Sequence, residues 1–497
     1  MSGNGTEDVD VVVVGAGFGG IGAAIALKEL GFERLLIVDR EDDLGGTWHV
    51  NRYPGLTVDV PSTTFSYWFE PNPDWSGMYA RGPELKAYAG RVADKYDVRR
   101  HMRFGLDVRR ADWDEESGRW TVHFAEGDPV RTRFLVCATG FLSQPATPDI
   151  PGIERFEGAV VHTARWDPDH AFDGERVAVI GTGSTAVQVI PELAKRAADL
   201  TVYQRTPIWV MPKLDVPFPR PVRSVFARYP VTQRAVRLVT DSFMEFLMVV
   251  AMWRYRWFRR LNSAAARAAG VHRFVSLRDR RLRAALTPSY DYGCKRPTVS
   301  NSYYRALARP NVRLDTESID RIDEGAVIGV DGTRREIDTL VLATGFDVWK
   351  TNLPAVTVIG RDGKNLGEWW RQTRFQAYEG VSVPGFPNFL TLASPYSWVG
   401  LSWFNTVEYQ MRHIRRLFGE LDRRGAAVFE VTETANARFL ERMEGLLEDS
   451  VFRLGDCVSS NSYWINGRGE AALFRPTTVR DAVRTQDRFP LVDYDFR

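Results

Sequence analysis

The chain has 497 residues, and a prior of about 150 residues per domain predicts roughly three domains. Hydrophobic residues make up 44% and charged residues 26%, which is typical of a globular protein and excludes collagen-like, disordered and disulfide-scaffold classes. The 65 Lys and Arg residues nearly balance the 63 Asp and Glu residues, and this net charge of +2 argues against a nucleic-acid-binding protein.

The cysteines and the N-terminus contain no targeting or metal signal. Cys137, Cys294 and Cys457 are far apart and form neither a CxxC pair nor a metal-ligand spacing, so we expect no metal site. The N-terminal MSGNGTEDVD is polar and acidic, unlike a signal peptide. The most apolar stretch, 243–253, is too short to span a bilayer and contains Glu245. We therefore predict a protein of the reducing cytoplasm, without a transmembrane segment.

The first predicted strand and helix carry a nucleotide-binding signature. The β-branched run DVVVV at 10–14 is typical of a buried parallel strand, and GAGFGG and a helix-favouring segment follow it. Gly15 permits a tight turn, Gly17 allows a pyrophosphate to approach the backbone, and Gly20 allows close packing of helix and strand. The spacing in this strand–turn–helix context predicts a dinucleotide site.

The acidic residue that follows the next strand indicates which dinucleotide binds. Asp39 ends the strand RLLIVD, at the position where a ribose hydroxyl pair is held, and it would repel a 2′-phosphate. This excludes NADP and leaves FAD or NAD. The loop Gly45–Trp48, which includes Gly46 and Thr47, resembles the flavin-contacting loop of the flavoprotein monooxygenases and favours FAD. We also assign Val108 to this FAD site.

A second unit begins near residue 176 with the strand RVAVIG and the turn Gly181-Thr-Gly183-Ser184-Thr185-Ala186. The next strand ends in Gln204-Arg205-Thr206 and carries no acidic residue. An arginine here accommodates a 2′-phosphate through charge-assisted hydrogen bonds, so this site suits NADPH. Each unit closes with a strand that runs into ATGF, at 135–141 and 340–346, which marks two domain exits.

The segment from Pro212 to Cys294 is helical, arginine-rich and aromatic. Between Lys213 and Arg283 there are 16 basic residues against 4 acidic ones, so the rest of the chain carries a net negative charge. The apolar 243–253 segment is followed by the basic aromatic RYRWFRR. Three interpretations remain open for 243–260: a helix packed on the core, a lipophilic substrate channel, or a peripheral contact with an anionic membrane surface.

The connector between the two units carries a family fingerprint. It reads FxGxxxHxxxWD, contributed by Phe156, Gly158, His162, Trp166 and Asp167, and it lies immediately before the second GxGxxA. This pattern resembles that of the type I Baeyer–Villiger monooxygenases, and the resemblance extends from Val9 to about Gln410. It implies that Gly158, His162 and Trp166 are motion and positioning residues of the connector and that His162 is structural rather than a proton donor.

The same resemblance implies the catalytic residues. The family has an active-site arginine in a short basic motif after its helical insertion, and GCKRP provides Lys295 and Arg296. Arg296 would stabilise the anionic C4a-peroxyflavin and the adduct it forms with a ketone. Asp59, after NRYPG, would hold the guanidinium and contact the cofactor, and Lys295 would clamp the NADP 2′-phosphate. The insertion would cover the active site.

The C-terminal region departs from the family pattern at ASPYSW, where relatives have a glycine-rich turn. Its aromatic residues are predicted to line the substrate pocket or to belong to the core, with neither favoured: Tyr396, Trp398, Trp403 and Phe404. The PS dipeptide after Asp59 resembles the branch of the family that accepts larger or more lipophilic ketones.

Together these features predict an α/β protein with two Rossmann-like domains and a helical insertion in the second. The predicted FAD domain is 1–148 and 348–497, the NADP domain 149–211 and 295–347, and the insertion 212–294. The predicted reaction inserts one oxygen atom from O2 beside a ketone carbonyl. The alternatives are an N- or S-oxygenating flavin monooxygenase and a non-catalytic redox sensor. We expect a monomer or weak oligomer that binds no nucleic acid.

Overall fold

A computed structural model of the chain describes residues 7–497. The strands, numbered in chain order, are β1 (Glu7–Val14), β2 (Leu35–Val38), β3 (Met102–Arg103), β4 (Val108–Asp114), β5 (Arg119–Phe124), β6 (Val130–Cys137), β7 (Ala159–His162), β8 (Arg176–Ile180), β9 (Asp199–Tyr203), β10 (Val210–Met211), β11 (Thr298–Val299), β12 (Val312–Asp315), β13 (Ile319–Ile322), β14 (Ala326–Gly329), β15 (Arg334–Glu336), β16 (Thr339–Leu342), β17 (Thr357–Ile359), β18 (Phe389–Thr391), β19 (Phe429–Val431) and β20 (Tyr494–Phe496).

The α-helices are likewise numbered in chain order. They are α1 (Phe18–Glu29), α2 (Thr47–Val50), α3 (Gly82–Lys95), α4 (Ser184–Leu193), α5 (Arg220–Arg228), α6 (Pro230–Met248), α7 (Tyr255–Ser276), α8 (Arg280–Ala285), α9 (Tyr303–Leu307), α10 (Leu366–Gln372), α11 (Trp403–Arg424), α12 (Glu433–Leu447), α13 (Val451–Leu454) and α14 (Val479–Arg488). A π-helical turn, Val249–Trp253, joins α6 to α7.

The larger sheet has the strand order β17-β4-β5-β6-β1-β2-β3, and β18 pairs with β6. β1 lies parallel to both β2 and β6, with Val14 opposite Val38 and Cys137. Val11, Val12 and Val13 are completely buried, as expected for a central strand covered on both faces. α11 packs against α1, so the C-terminal part of the chain completes the first nucleotide-binding unit.

The second sheet has the order β12-β9-β8-β16-β7 and is parallel throughout. A three-stranded antiparallel sheet, β13-β14-β15, follows β12 in the chain. The two sheets repeat one device: Gly15 and Gly181 have φ of +110° and +115° at the ends of β1 and β8, a conformation that favours glycine. The predicted α/β fold with two Rossmann-like units is thereby confirmed.

The segment between β10 and β11 is helical, as predicted, and contains α5, α6, α7 and α8. The interpretation of 243–253 as a helix packed on the core is wrong for its first part, because Phe243, Phe246 and Leu247 are exposed. It holds for Met252 and Trp253, which are buried. Within residues 7–497, no helix combines the length and the apolar content needed to cross a bilayer.

A disulfide joins Cys294 to Cys457, a bond that the spacing of the cysteines did not suggest. Cys137 is free and buried in β6. Cys294 directly precedes Lys295 and Arg296, so the bond connects the start of this basic motif to the C-terminal region of the chain.

Candidate active site

The first cleft lies at the carboxyl ends of β1 and β2. Its empty volume is about 1140 Å³, open to solvent, and it adjoins the turn after β1. The residues predicted for FAD that line it are Gly15, Gly17, Asp39, Gly46, Thr47, Trp48 and Val108. Gly20 lies beneath the turn, where an added Cβ would come within 1.8 Å of the Gly15 carbonyl oxygen. The glycine pattern therefore creates a close helix–strand contact and an open backbone surface above it.

The Asp39 carboxylate is held by the backbone at the edge of this cleft. Its Oδ2 accepts a hydrogen bond from the Ala16 amide at 2.7 Å, and its Oδ1 accepts one from the Glu41 amide at 3.0 Å. Each carboxylate oxygen can accept further hydrogen bonds. This orientation fits a ribose hydroxyl pair, and the cleft as a whole fits FAD.

The second turn presents backbone to open space at the start of α4. An ideal Cβ at Gly183 would meet no atom within 4 Å, and no side chain caps the helix there. Ser184 and Thr185 form the first turn of α4. A helix N-terminus with free amides and space above it suits a pyrophosphate.

Two cations lie beside this turn. Arg205 follows β9 and is exposed, and Thr206 is buried and accepts a hydrogen bond from Asn461 at 2.7 Å. Burial, together with the positive charge of Arg205, lowers the pKa of Lys295 to about 8. Neither cation has an acidic partner within the part of the chain that the structure describes. The pair therefore fits an anion such as a 2′-phosphate.

Arg296 and Asp59 form a bidentate ion pair. The Arg296 Nε and Nη2 donate to the two Asp59 carboxylate oxygens at 2.7 and 2.5 Å. Their side chains are 22% and 19% exposed, so the pair is largely shielded from water. Burial opposes the charged form of Arg296, but Asp59 and Tyr463 outweigh it and raise the pKa of the guanidinium. The site thus holds a fixed positive charge at every physiological pH.

Two aromatic residues complete the surroundings of Arg296. The guanidinium lies 5.6 Å from the centre of the Trp398 ring, and Tyr463 lies close enough to help raise its pKa. Burial raises the pKa of Tyr463, so the phenol stays neutral. The sequence leaves open whether Trp398 lines the substrate pocket or belongs to the core. It does not reveal Tyr463, because no local motif marks this residue.

The other undecided aromatic residues divide between cleft and core. Trp403 lines the first cleft beside Phe141, with ring centres 5.5 Å apart. Tyr396 and Phe404 are almost completely buried, and Phe404 packs on Phe18 of α1. Both interpretations therefore hold in part. Trp398 and Trp403 lie at the site, and Tyr396 and Phe404 belong to the core.

The loop that carries Asp59 bridges the two nucleotide units. The Tyr53 hydroxyl donates to Gln188 Oε1 of α4 at 3.0 Å, and Gln188 Nε2 donates to the Thr57 carbonyl at 3.0 Å. Lys213, which no sequence motif marks, donates to Thr57 Oγ1 at 3.2 Å. Asp59 does not line the first cleft itself, and its carboxylate is paired with Arg296 instead.

The fingerprint residues lie along the connector, and Asp167 accepts from the Asp169 amide at 2.9 Å. In β7, His162 is opposite Leu342 of β16, and its Nδ1 accepts from the Ala164 amide at 3.1 Å. Burial lowers the pKa of His162, which keeps the ring neutral. Trp166 stacks on Phe172 with ring centres 5.0 Å apart. Phe156 and Gly158 are in contact, and within residues 7–497 no hydrogen bond or ion pair joins the fingerprint residues to Arg296 or Asp59.

A dinucleotide cleft, a second glycine turn beside two cations, and a guanidinium paired with the loop that joins the two units define a flavin- and NADP-dependent oxidoreductase. Residues 12–218 match the pyridine nucleotide-disulphide oxidoreductase family. A Baeyer–Villiger monooxygenase of Streptomyces coelicolor is 35% identical over 98% of this chain and 92% of its own. The chain belongs to the Baeyer–Villiger monooxygenase family, and its cofactors are FAD and NADPH.

Solved structures agree with this assignment. A steroid monooxygenase bound to NADP has a TM-score of 0.84 and 31% identity, and the match covers 98% of this chain and 99% of that chain. The OTEMO complex with FAD and NADP has a TM-score of 0.86 and 27% identity, with 98% and 99% covered.

Proposed function

We propose that this chain oxidises ketones to esters or lactones with NADPH and O2, and that Arg296 is its central catalytic residue. The observation that carries the proposal is the shielded, bidentate Arg296–Asp59 pair beside the loop that joins the two nucleotide units. A buried guanidinium is costly to keep unless its charge is used or paired. Here Asp59 pairs with Nε and Nη2 of Arg296.

Reduced FAD supplies the electrons that activate O2, and NADPH supplies the hydride. Arg296 would act on the negative charge that develops on the ketone oxygen when its carbonyl carbon is attacked. A preoriented charged donor stabilises such charge best where water is excluded. Arginine suits the task because it cannot quench the anion by giving up its proton.

Asp59 and Tyr463 are proposed as positioning residues for Arg296. The two carboxylate oxygens fix the plane of the guanidinium, and the neutral Tyr463 helps to raise the pKa of Arg296. The proposed cofactor contacts lie in the two nucleotide units. The glycine turn, Asp39 and the loop at 45–48 would hold FAD, and the second turn with Arg205, Thr206 and Lys295 would hold NADPH.

The substrate class we propose is bulky or lipophilic ketones. Trp398, Trp403 and Phe141 place an aromatic wall next to Arg296 and the first cleft. The PS dipeptide after Asp59 and the similarity to a steroid monooxygenase support the same class. An N- or S-oxygenating enzyme or a redox sensor would gain little from a buried guanidinium, so neither alternative is favoured. Cytoplasmic localisation, the domain boundaries and a monomeric or weakly associated state remain predictions.

Separate half-reactions of Arg296→Ala test this assignment. We expect reduction of the bound flavin by NADPH near the wild-type rate and ester formation lowered about 100- to 1000-fold, because one oriented donor is lost. Stopped-flow absorbance measures the first reaction and product chromatography the second. Arg260→Ala, an exposed arginine of the insertion, is the matched control and should affect neither. Ester formation retained by Arg296→Ala would refute the role.

A further inference from the structure

Helix α6 turns polar side chains toward the protein and apolar side chains toward solvent. Its polar residues at 233, 237, 241 and 245 recur every four positions and point into the protein. Arg237 Nη1 donates to the Ser66 carbonyl at 2.8 Å, Gln233 donates to the Asn72 carbonyl at 2.6 Å, and Glu245 accepts from the Val479 amide. A surface helix normally buries its apolar face instead.

The outer face of α6 is an apolar stripe. Its members share helical spacing and are between 36% and 70% exposed: Val231, Leu238, Val239, Phe243, Phe246 and Leu247. Trp257 and Phe258, at the start of α7, are also exposed, at 71% and 44%. An exposed apolar stripe of this kind, on a helix that turns four polar residues inward, marks an interaction surface.

The charge around the apolar stripe selects the partner. Arg220, Arg228 and Arg234 are exposed and, among the described residues, have no acidic partner. Both acidic residues of the helix are turned inward: Asp241 is paired with Arg237 and Glu245 is bonded to the backbone. Beside α7, Asp449 is occupied by Arg254 and Arg256. The surface therefore presents apolar and basic groups together.

We propose that this face of the insertion docks on an anionic lipid bilayer. Phenylalanine, leucine and tryptophan on one helix face enter the headgroup boundary, and arginines beside them contact the phosphates. A second copy of the chain fits less well, because a two-fold contact through the stripe would bring the same unpaired arginines together. The inner side of the same segment carries Met252, which packs near Gly293 of the Arg296 segment.

Co-sedimentation of the FAD-loaded full chain with vesicles tests this proposal. We expect binding to vesicles of phosphatidylcholine with phosphatidylglycerol, weakened by salt, and much less binding to phosphatidylcholine alone. Phe243→Ser/Phe246→Ser should weaken binding at least about tenfold, since two apolar side chains no longer insert. Arg228→Glu/Arg234→Glu should weaken it about tenfold as well. Val492→Ser, an exposed valine outside the insertion, should leave binding unchanged.

Three results would overturn the proposal. In the first, the wild-type protein stays in the supernatant with both vesicle types. In the second, the Phe243→Ser/Phe246→Ser variant binds as well as the wild type. In the third, the wild-type protein binds neutral and anionic vesicles equally. If the wild-type protein forms a dimer without lipid and the Phe243→Ser/Phe246→Ser variant is monomeric, the stripe binds a second copy of the chain instead. If that variant loses FAD, Leu238→Ser/Val239→Ser repeats the test on the same face.

Discussion

Lys295 and Arg205 come from segments far apart in the chain, and they lie close enough for the charge of Arg205 to oppose the protonation of Lys295. The pKa of Lys295 falls to about 8 through burial and through Arg205, so the lysine is on the edge of losing its proton under mildly alkaline conditions. An arrangement that is unfavourable by itself becomes favourable once an anion binds between the two cations. This is the residue-level argument for a 2′-phosphate site.

The affinity for NADP⁺ should depend on pH through Lys295. Below about pH 8 the lysine is protonated and attracts the phosphate, and above it the charge is lost, so the dissociation constant should rise as the pH increases. Titration followed by flavin absorbance measures this. Lys295→Met should flatten the profile, and Lys295→Arg should keep tight binding at high pH. An unchanged wild-type profile between pH 7 and roughly pH 10 would contradict the assignment.

Arg205→Ala should weaken NADP⁺ far more than NAD⁺. A charged hydrogen bond is worth about 1.5–3 kcal/mol, so we expect roughly 10- to 100-fold weaker NADP⁺ binding with little change for NAD⁺. NAD⁺ is the internal control because it lacks only the phosphate. Equal losses for both nucleotides would refute a phosphate contact.

Local motifs account for the site residues that the sequence revealed. Gly15, Gly17 and Asp39 belong to one strand–turn–helix–strand unit, so their spacing alone predicts a shared cleft. Tyr463 and Lys213 could not be found this way, since they meet Arg296 and Thr57 only through tertiary folding. The pairing of Arg296 with Asp59 was implied by family resemblance rather than by spacing.

At the level of elements, the connector at 156–167 is tightly fitted to the second sheet. β7 is its edge strand and pairs only with β16 among the described strands. A Cβ added at Gly158 would lie 2.3 Å from the Asp338 carbonyl oxygen and 2.5 Å from the Phe156 ring. The glycine therefore permits a close approach that any side chain would block.

Gly158→Ala should slow flavin reduction at saturating NADPH without changing FAD content. The reason is that the connector must shift away from β16, which moves the NADP unit relative to the flavin. Stopped-flow reduction and bound-flavin absorbance measure the two quantities. Gly419→Ala in α11, where a Cβ meets nothing within 4 Å, is the control. A normal reduction rate in Gly158→Ala would contradict the positioning role.

Elements with strong local signals were predictable and those set by packing were not. β1 with α1, and β8 with α4, follow from valine-rich runs and glycine turns. The two-residue strands β10 and β11 exist through their mutual pairing, which sequence patterns do not record. The reversed polarity of α6 escaped prediction because a periodic pattern does not say which face meets the protein.

Across the whole molecule, charge is distributed unevenly. The stretch from Lys213 to Arg283 has 16 basic and 4 acidic residues, and the rest of the chain is net acidic, so the near-neutral total conceals a basic insertion. The loop at 51–59 joins the two nucleotide units through Tyr53, Gln188 and Thr57. Because this loop also carries Asp59, the position of Arg296 depends on contacts between the two units.

The most direct test of the central claim is the fate of molecular oxygen. Wild-type enzyme, given NADPH, a panel of cyclic and polycyclic ketones and ¹⁸O₂, should form a lactone with one ¹⁸O atom in the new C–O–C linkage and an unlabelled carbonyl. Mass spectrometry with fragmentation locates the label. NADPH oxidation that yields only hydrogen peroxide across the panel, or a lactone labelled from water instead, would contradict the account.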